Sequence, residues 1–252
     1  MMTKVGLGLG LLSIGRQWGA AYVTPPSPDQ ATALIETAYR AGIRFFDTAP
    51  AYGASESILS QAIAGSGVDP AQMTIATRMG EYWDCGTGTS YTNHSFDEMV
   101  RGLENSARLL GRIDILQLHK ADITNIASKA VFRALDRAEE LGIRQFGVSV
   151  KDIESARLTC LSGRYAYVQF PYSIGHTALK EIFSMLHDSN VQAIINRPFA
   201  MGQLTVQGVP FHLTDLFAFI LECEFTGIVP TGTSSQQHLL DNIEAFRCAN
   251  HG

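Results

Sequence analysis

The chain has 252 residues, 46% of them hydrophobic and 17% charged, with a formal net charge of -5. That composition excludes a disordered chain and a polyanion-binding surface, so nucleic acid is not an expected partner. The absence of a run of about 18 apolar residues leaves no membrane span to expect. One domain over residues 1–252 is the economical reading of this length.

Four cysteines, Cys85, Cys160, Cys223 and Cys248, are widely spaced, and the seven histidines show no H-x-x-x-H pattern. Reduced thiols and no metal site follow. Lys4 and the apolar run after it have the look of a secretory leader, with Ala20 and Ala21 near a cleavage position. Gly6, Gly8 and Gly10 interrupt that run, and its removal would delete a strand, so a cytoplasmic location is expected.

Apolar runs of strand length alternate with helical periodicity along the chain. The first strand, residues 4–9, carries Gly6-x-Gly8-x-Gly10. A dinucleotide-fold reading fits poorly there, because no third glycine has the required spacing and no helix is expected to start at once. A helix over 28–41 opens at Ser27-Pro28 and stops at Gly42. The second strand, 44–47, ends in Asp47 and is followed by Pro50-Ala51-Tyr52-Gly53 and a helix over 56–64. The third, 73–77, leads into Arg78, then a loop over 81–94 holding Tyr82, Trp83 and Tyr91. With Trp18 these aromatics suit either a substrate wall or simple packing over a rim.

A helix over 95–110 begins at Ser95, with Glu98 at capping-box spacing. The fourth strand, 113–118, precedes His119, and a helix over 127–141 stops at Gly142, an echo of the first helix. Strands over 145–149 and 167–170 end at Ser149 and near Gln169, with a helix over 152–161 between them. A helix over 177–187 leads to a seventh strand, 193–196, and to the stretch from Asn196 and Arg197 through Leu204. A helix over 214–223, an eighth strand over 227–230 and a helix over 235–248 complete the pattern. Eight strands alternating with eight helices favour an α/β fold, a (β/α)8 TIM barrel.

In such a barrel Asp47, Tyr52, Arg78 and His119 lie at strand ends and share one mouth. Considered singly, each has a structural reading: a turn residue, a packing ring, an ion-pair partner, a core histidine. The segment Phe45-Phe46-Asp47-Thr48-Ala49-Pro50-Ala51-Tyr52-Gly53-Ala54-Ser55-Glu56 resembles the signature of the aldo-keto reductases. So do Gly147-Val148-Ser149, Val168-Gln169-Phe170-Pro171-Tyr172 and the run from Pro230 to Ser235 with Asn242.

The resemblance implies an NAD(P)H-dependent oxidoreductase interconverting a carbonyl and an alcohol, with NADP or NAD as cofactor. It implies Tyr52 as acid, His119 as the group orienting the substrate oxygen, and Asp47 with Arg78 as electrostatic support. Arg78 departs from the pattern, which has lysine there; arginine stays charged and cannot relay a proton. A free phenol has a pKa of about 10, so action near neutral pH asks for a downward shift of roughly two to three units.

For the cofactor the resemblance points to Ser149 and Gln169 at the nicotinamide carboxamide and to Arg197 at the pyrophosphate. Gly232, Thr233 and Ser234 precede the last helix, where phosphate is favoured, and Asn242 faces the adenine. The usual Ser-Asn pair reads Ser149-Val150, and the positions that commonly hold basic residues for an adenosine 2′-phosphate are Gly232 and His238. The chain's end at Gly252 leads to the expectation of an open mouth. Two other readings remain: a silent nicotinamide-binding barrel acting as sensor or accessory protein, and a hydrolase or lyase using Asp47 and His119.

Overall fold

The computed structural model describes residues 5–18, 24–65, 67–200, 205–206 and 209–251. Lys4, Ala20 and Ala21, and the stretch from Met201 to Leu204, lie outside the described residues.

Eight parallel strands close into a barrel. In chain order the elements begin with β1 (Val5–Gly10), α1 (Leu12–Gly15), α2 (Pro28–Arg40), β2 (Phe45–Asp47), α3 (Ser55–Ala64) and β3 (Thr74–Met79). A hairpin of β4 (Glu81–Asp84) and β5 (Thr89–Thr92) precedes α4 (Phe96–Leu110), β6 (Ile115–Leu118), α5 (Lys129–Glu140) and β7 (Gln145–Ser149). Then come α6 (Ile153–Ser162), β8 (Tyr167–Pro171), α7 (Glu181–Ser189), β9 (Gln192–Asn196) and a two-residue pair, β10 (Thr205–Val206) and β11 (Val209–Pro210). The chain closes with α8 (Leu213–Leu221), β12 (Gly227–Gly232) and α9 (Gln236–His251). The barrel order is β1-β12-β9-β8-β7-β6-β3-β2, so the first and last strands pair.

All eight strands expected from the sequence form the barrel. Three local expectations need correction. A short helix, α1, does follow β1, and part of the loop after β3 is an antiparallel hairpin. The capping box at Ser95 is absent: the Ser95 side chain makes no cap bond, and the Glu98 carboxylate is turned to Arg101 and Tyr91. At Ser27 the reciprocal box does form with Gln30, which is why α2 starts there.

Strand alternation sets what fills the barrel. Phe45, Ala76, Ile115 and Ile194 form a small apolar cluster, joined by Tyr167 and Ile228. A Cβ on Gly8 would stand 2.9 Å from the Phe45 ring and 3.0 Å from the Ile228 side chain. The glycine run of β1 therefore makes room for its larger neighbours inside the barrel. The opposite strand faces, with Phe46, Ile75, Leu116, Phe146, Val148 and Val168, join the helices in the main core. No helix among the described residues is long and apolar enough to cross a membrane.

Candidate active site

Two residues beyond the apolar barrel cluster, on the same strand faces, stand Asp47, Arg78, Gln117 and Gln169. A period of two carries Phe45 to Asp47, Ala76 to Arg78, Ile115 to Gln117 and Tyr167 to Gln169. The barrel interior thus changes from apolar to polar one layer below the rim formed by the strands' C-terminal ends. All four polar residues are buried.

Arg78 is the centre of this layer and is 1% exposed. Its Nη2 donates to Asp47 Oδ1 at 2.8 Å and Oδ2 at 2.5 Å, and to Gln169 Oε1 at 2.6 Å. Its Nη1 donates to the Tyr52 hydroxyl oxygen. Gln117 Nε2 reaches Asp47 Oδ1 at 3.3 Å, and Gln169 Nε2 reaches Oδ2 at 3.4 Å. The carboxylate is thereby surrounded by donors, the condition under which a buried ion pair is tolerated. Burial disfavours the Arg78 charge, but Asp47 and Tyr52 oppose it and the balance is raised above the usual arginine value.

Tyr52 is presented by a short 3-10 turn, Pro50–Tyr52, at the end of β2. Several contacts fix that turn. Thr48 N donates to Ala76 O at 2.8 Å, and the Thr48 and Ser55 hydroxyls meet at 2.7 Å. Thr77 donates to the buried Glu56 carboxyl at 2.6 Å, tying the start of α3 to β3. Ala54 N donates to Gly15 O at 2.9 Å, so α1 braces the turn from the other side.

The phenol is pushed up to about 12, first by burial, against the lowering effect of Arg78. The downward shift expected from the sequence is therefore reversed: desolvation outweighs the single cation, whose charge Asp47 partly cancels. Because the hydroxyl oxygen accepts from Arg78, its own proton remains available to a third group.

His119 follows β6, and its ring meets the Tyr52 ring edge-on at 6.0 Å and 83°. Burial, and then the charge of Arg78, hold it well below the usual imidazole range, so it is neutral. Glu81 Oε2 stands 3.0 Å from His119 Nδ1. The two atoms are not aligned for a hydrogen bond, and Nδ1 has no hydrogen-bond partner.

The structure thus brings Asp47, Tyr52, Arg78, His119 and Gln169 together. The amide of Gln169 is already turned to Arg78 and Asp47. Ser149 pairs in register with Gln169 at the same rim and is half-buried. Arg197, just past β9, is exposed and has a φ of 55°. Gly232 ends β12 opposite Gly10, with Thr233 buried and Ser234 half-buried after it. His238 is exposed on α9 and Asn242 is buried. Two amides at the start of α9 already have side-chain acceptors: Ser235 N donates to Thr233 Oγ1 at 3.0 Å and His238 N to Ser235 Oγ at 3.3 Å.

Sequence reading missed Gln117, Glu81 and Arg16. The period-two step from Ile115 marks Gln117 as an interior polar residue, a signal that was legible. Glu81 sits in the unforeseen hairpin, and nothing in its sequence neighbourhood points it at His119. No cluster of three or more potential metal ligands exists among the described residues.

Polar atoms without protein partners lie on the same rim. Asn196 Oδ1, at the end of β9, and Ser173 Oγ, just past β8, are buried and unpaired. A Cβ on Gly232 would find nothing nearer than Gly10 O at 3.6 Å. Waiting polar groups and open space of this kind fit a polar, amide-bearing and phosphate-bearing cofactor.

The profile of the aldo/keto reductase family matches residues 6–210. L-galactose dehydrogenase of Arabidopsis thaliana is 27% identical over 219 residues, covering 81% of this chain and 64% of that protein. D-threo-aldose 1-dehydrogenase of a Pseudomonas species is 29% identical over 199 residues, covering 66% and 58%. The chain therefore spans about three fifths of the length of these curated relatives. Among solved structures, the aldo-keto reductase PA4992 of Pseudomonas aeruginosa superposes with a TM-score of 0.81 at 23% identity, covering 96% of this chain and 89% of that one. An aldo/keto reductase of Klebsiella pneumoniae, solved with NADP and acetate, superposes with a TM-score of 0.74 at 20% identity, covering 96% and 85%. With the profile matching most of its length and the closed eight-stranded barrel in place, the chain belongs to the aldo/keto reductase family.

Proposed function

We propose that this protein, acting as one unit over residues 1–252, interconverts a small carbonyl compound and its alcohol with NADPH or NADH. The observation that carries the reading is the Tyr52 hydroxyl, whose oxygen is held by Arg78 while its proton is free. When bound, the cofactor supplies the hydride in reduction and accepts it in oxidation. Ser149, Asn196, Ser173 and Arg197, with Gly232, Thr233, Ser234, His238 and Asn242 near α9, are the residues that would hold it. Named relatives are dehydrogenases of a sugar and of an aldose, which supports a carbonyl or alcohol substrate.

Tyr52 gives its proton to the oxygen of the substrate as that oxygen becomes an alkoxide. An alkoxide is about as basic as hydroxide and so far more basic than a phenolate, and a phenol at about 12 still gives up its proton to it downhill. Arg78, fixed by Asp47 and Gln169, then faces the phenolate and stabilises it without reorganising. His119, neutral and edge-on to Tyr52, hydrogen-bonds the same substrate oxygen and sets its direction. Unpaired cysteines fit a reducing, cytoplasmic setting.

Arg78 in place of lysine favours one second reading, a barrel that binds the cofactor and turns over slowly or not at all. Titration with NADPH and NADH, followed by loss of nicotinamide absorbance on adding an aldehyde, separates the two. Binding with turnover that vanishes in Tyr52→Phe, at nearly unchanged cofactor affinity, is the expected result. A Tyr52→Phe protein that keeps its rate removes Tyr52 as the acid, and no binding of either nucleotide at millimolar concentration removes both readings.

A further inference from the structure

The mouth of the barrel holds a cation that the reaction above does not use. Arg16 directly follows α1, whose last residue braces the Tyr52 turn through the bond from Ala54 N to Gly15 O. A Cβ on Gly53 would lie 3.1 Å from Arg16 Cβ, so the two loops touch at this point. The Arg16 guanidinium carbon stands 4.6 Å from the centroid of the Trp83 ring and 5.4 Å from that of Trp18. Among the described residues its guanidinium makes no ion pair, and its Nε is buried without a hydrogen-bond partner.

Charge accounting points the same way. Arg78 is matched by Asp47. Glu81, a carboxylate whose charge acts on Arg16, also has Lys120 at 3.6 Å, receives the Ser90 hydroxyl at 2.9 Å and abuts His119. Among the described residues Arg16 is therefore a cation without an ion-pair partner, at a mouth where its charge is also felt by Tyr52 and His119. Aromatic faces hold a guanidinium plane while leaving its N–H edge free, and that edge matches the two oxygens of a carboxylate or phosphate.

We propose that Arg16, set against Trp18 and Trp83, forms an anion subsite at the barrel mouth, selecting substrates that carry a carboxylate or phosphate a few bonds from the reacting carbon. The choice of substrate rests on the carbonyl–alcohol reading above; the anion subsite itself does not. Trp18 is 36% exposed, so the subsite is reachable from solvent.

The chain's two tryptophans are the two that flank Arg16, so intrinsic fluorescence reports on this site. Butyrate and methyl phosphate, neither of which can react, are titrated at constant ionic strength into the unmodified protein, Arg16→Gln and Arg16→Lys. The expected result is a saturable change in the unmodified protein, weakened at least tenfold in Arg16→Gln and partly kept in Arg16→Lys; the tighter ligand identifies the group. No change in the unmodified protein, or an equal midpoint in Arg16→Gln, overturns the subsite whether or not any aldehyde turns over. In kinetics, the ratio of kcat/KM for 4-oxobutanoate to that for butanal should fall at least tenfold in Arg16→Gln. An unchanged ratio overturns the selection. Should neither aldehyde react while butyrate still titrates through Arg16, the oxidoreductase reading fails and the anion subsite stands.

Discussion

Arg78 binds Asp47 through one nitrogen: Nη2 contacts both carboxylate oxygens and Gln169 as well, while Nη1 is given over to Tyr52. The guanidinium thus divides its work between a structural nitrogen and one aimed at the reacting group. Lysine has a single nitrogen and cannot occupy both positions. Arg78→Lys should lower kcat tenfold or more, about 1.4 kcal/mol of barrier. Kinetics of both proteins on one aldehyde decide it, and a clear gain for lysine would mark Arg78 as the sign of a decayed site.

Asp47→Asn probes the same pair through stability. Removing the carboxylate leaves the Arg78 charge buried with only neutral groups around it, a change that costs about 3 to 5 kcal/mol. Denaturant unfolding should show a loss of that order. A loss below about 1 kcal/mol would mean that water or a shifted side chain already compensates Arg78.

The raised phenol of Tyr52 gives the two reaction directions different pH dependence. Reduction uses the protonated form, which predominates throughout the range well below about 12, so its rate should not fall on the alkaline side as far as about pH 9. Oxidation needs the phenolate to take the alcohol proton. Its rate should therefore climb close to tenfold per pH unit over the same range without a plateau. A plateau near neutral pH would show that Tyr52 is lowered in the working complex, against the direction that burial gives it here.

His119 should leave its mark on acid stability. Its folded-state pKa lies well below 6.5, driven by burial and by Arg78, Lys120, His94 and Arg16. Between those values the unfolded chain binds the proton and the native one does not. The stabilisation is thus complete above about pH 6.5 and is lost as pH falls toward the folded value. His119→Asn should show a smaller drop in Tm between about pH 7 and about pH 5 than the unmodified protein. An equal drop would place the acid-sensitive group elsewhere.

Eight strands could be read from the sequence because β/α units repeat a simple contrast, short apolar runs against helical periodicity, and that contrast survives any context. Asp47, Tyr52, Arg78 and His119 were legible because parallel strands send every strand end to one rim. Side-chain pairing was not legible. Gln169 faces Arg78 only because Tyr167 below it fills the apolar layer, and Glu81 reaches His119 only because β4 turns back on β5. Such contacts depend on barrel closure and hairpin register, which local pattern does not encode. The Tyr52 pKa escaped for a related reason: its direction is a contest between desolvation and one partly neutralised cation.

Cofactor selectivity can be tested at Gly232. The residue is exposed, its φ is not in the left-handed region, and a Cβ there meets nothing closer than 3.6 Å. A side chain is therefore admitted without strain. If the adenosine 2′-phosphate lies near the start of α9, Gly232→Lys should tighten NADPH about tenfold, or about 1.4 kcal/mol, and change NADH little. His238→Arg should act in the same direction. Equal tightening of both nucleotides would place the new charge at the pyrophosphate they share.

Gly15 tests whether the brace beneath Tyr52 matters to the chemistry. A Cβ at Gly15 would lie 1.9 Å from the Tyr52 carbonyl oxygen and 2.7 Å from Ser55, both held by backbone. No side-chain rotation relieves that overlap, so Gly15→Ala must push α1 and the Tyr52 turn apart. Displacement by about 1 Å at a reacting group costs on the order of a hundredfold in rate. Gly65→Ala, where the nearest atom is 3.4 Å away on an exposed turn, serves as the control for a glycine lost without overlap. Gly15→Ala should lower kcat far more than Gly65→Ala while both retain the circular dichroism of the barrel. If the two variants are equally active, the turn carrying Tyr52 can shift without harm, and the hydroxyl position seen against Arg78 is not what sets the rate.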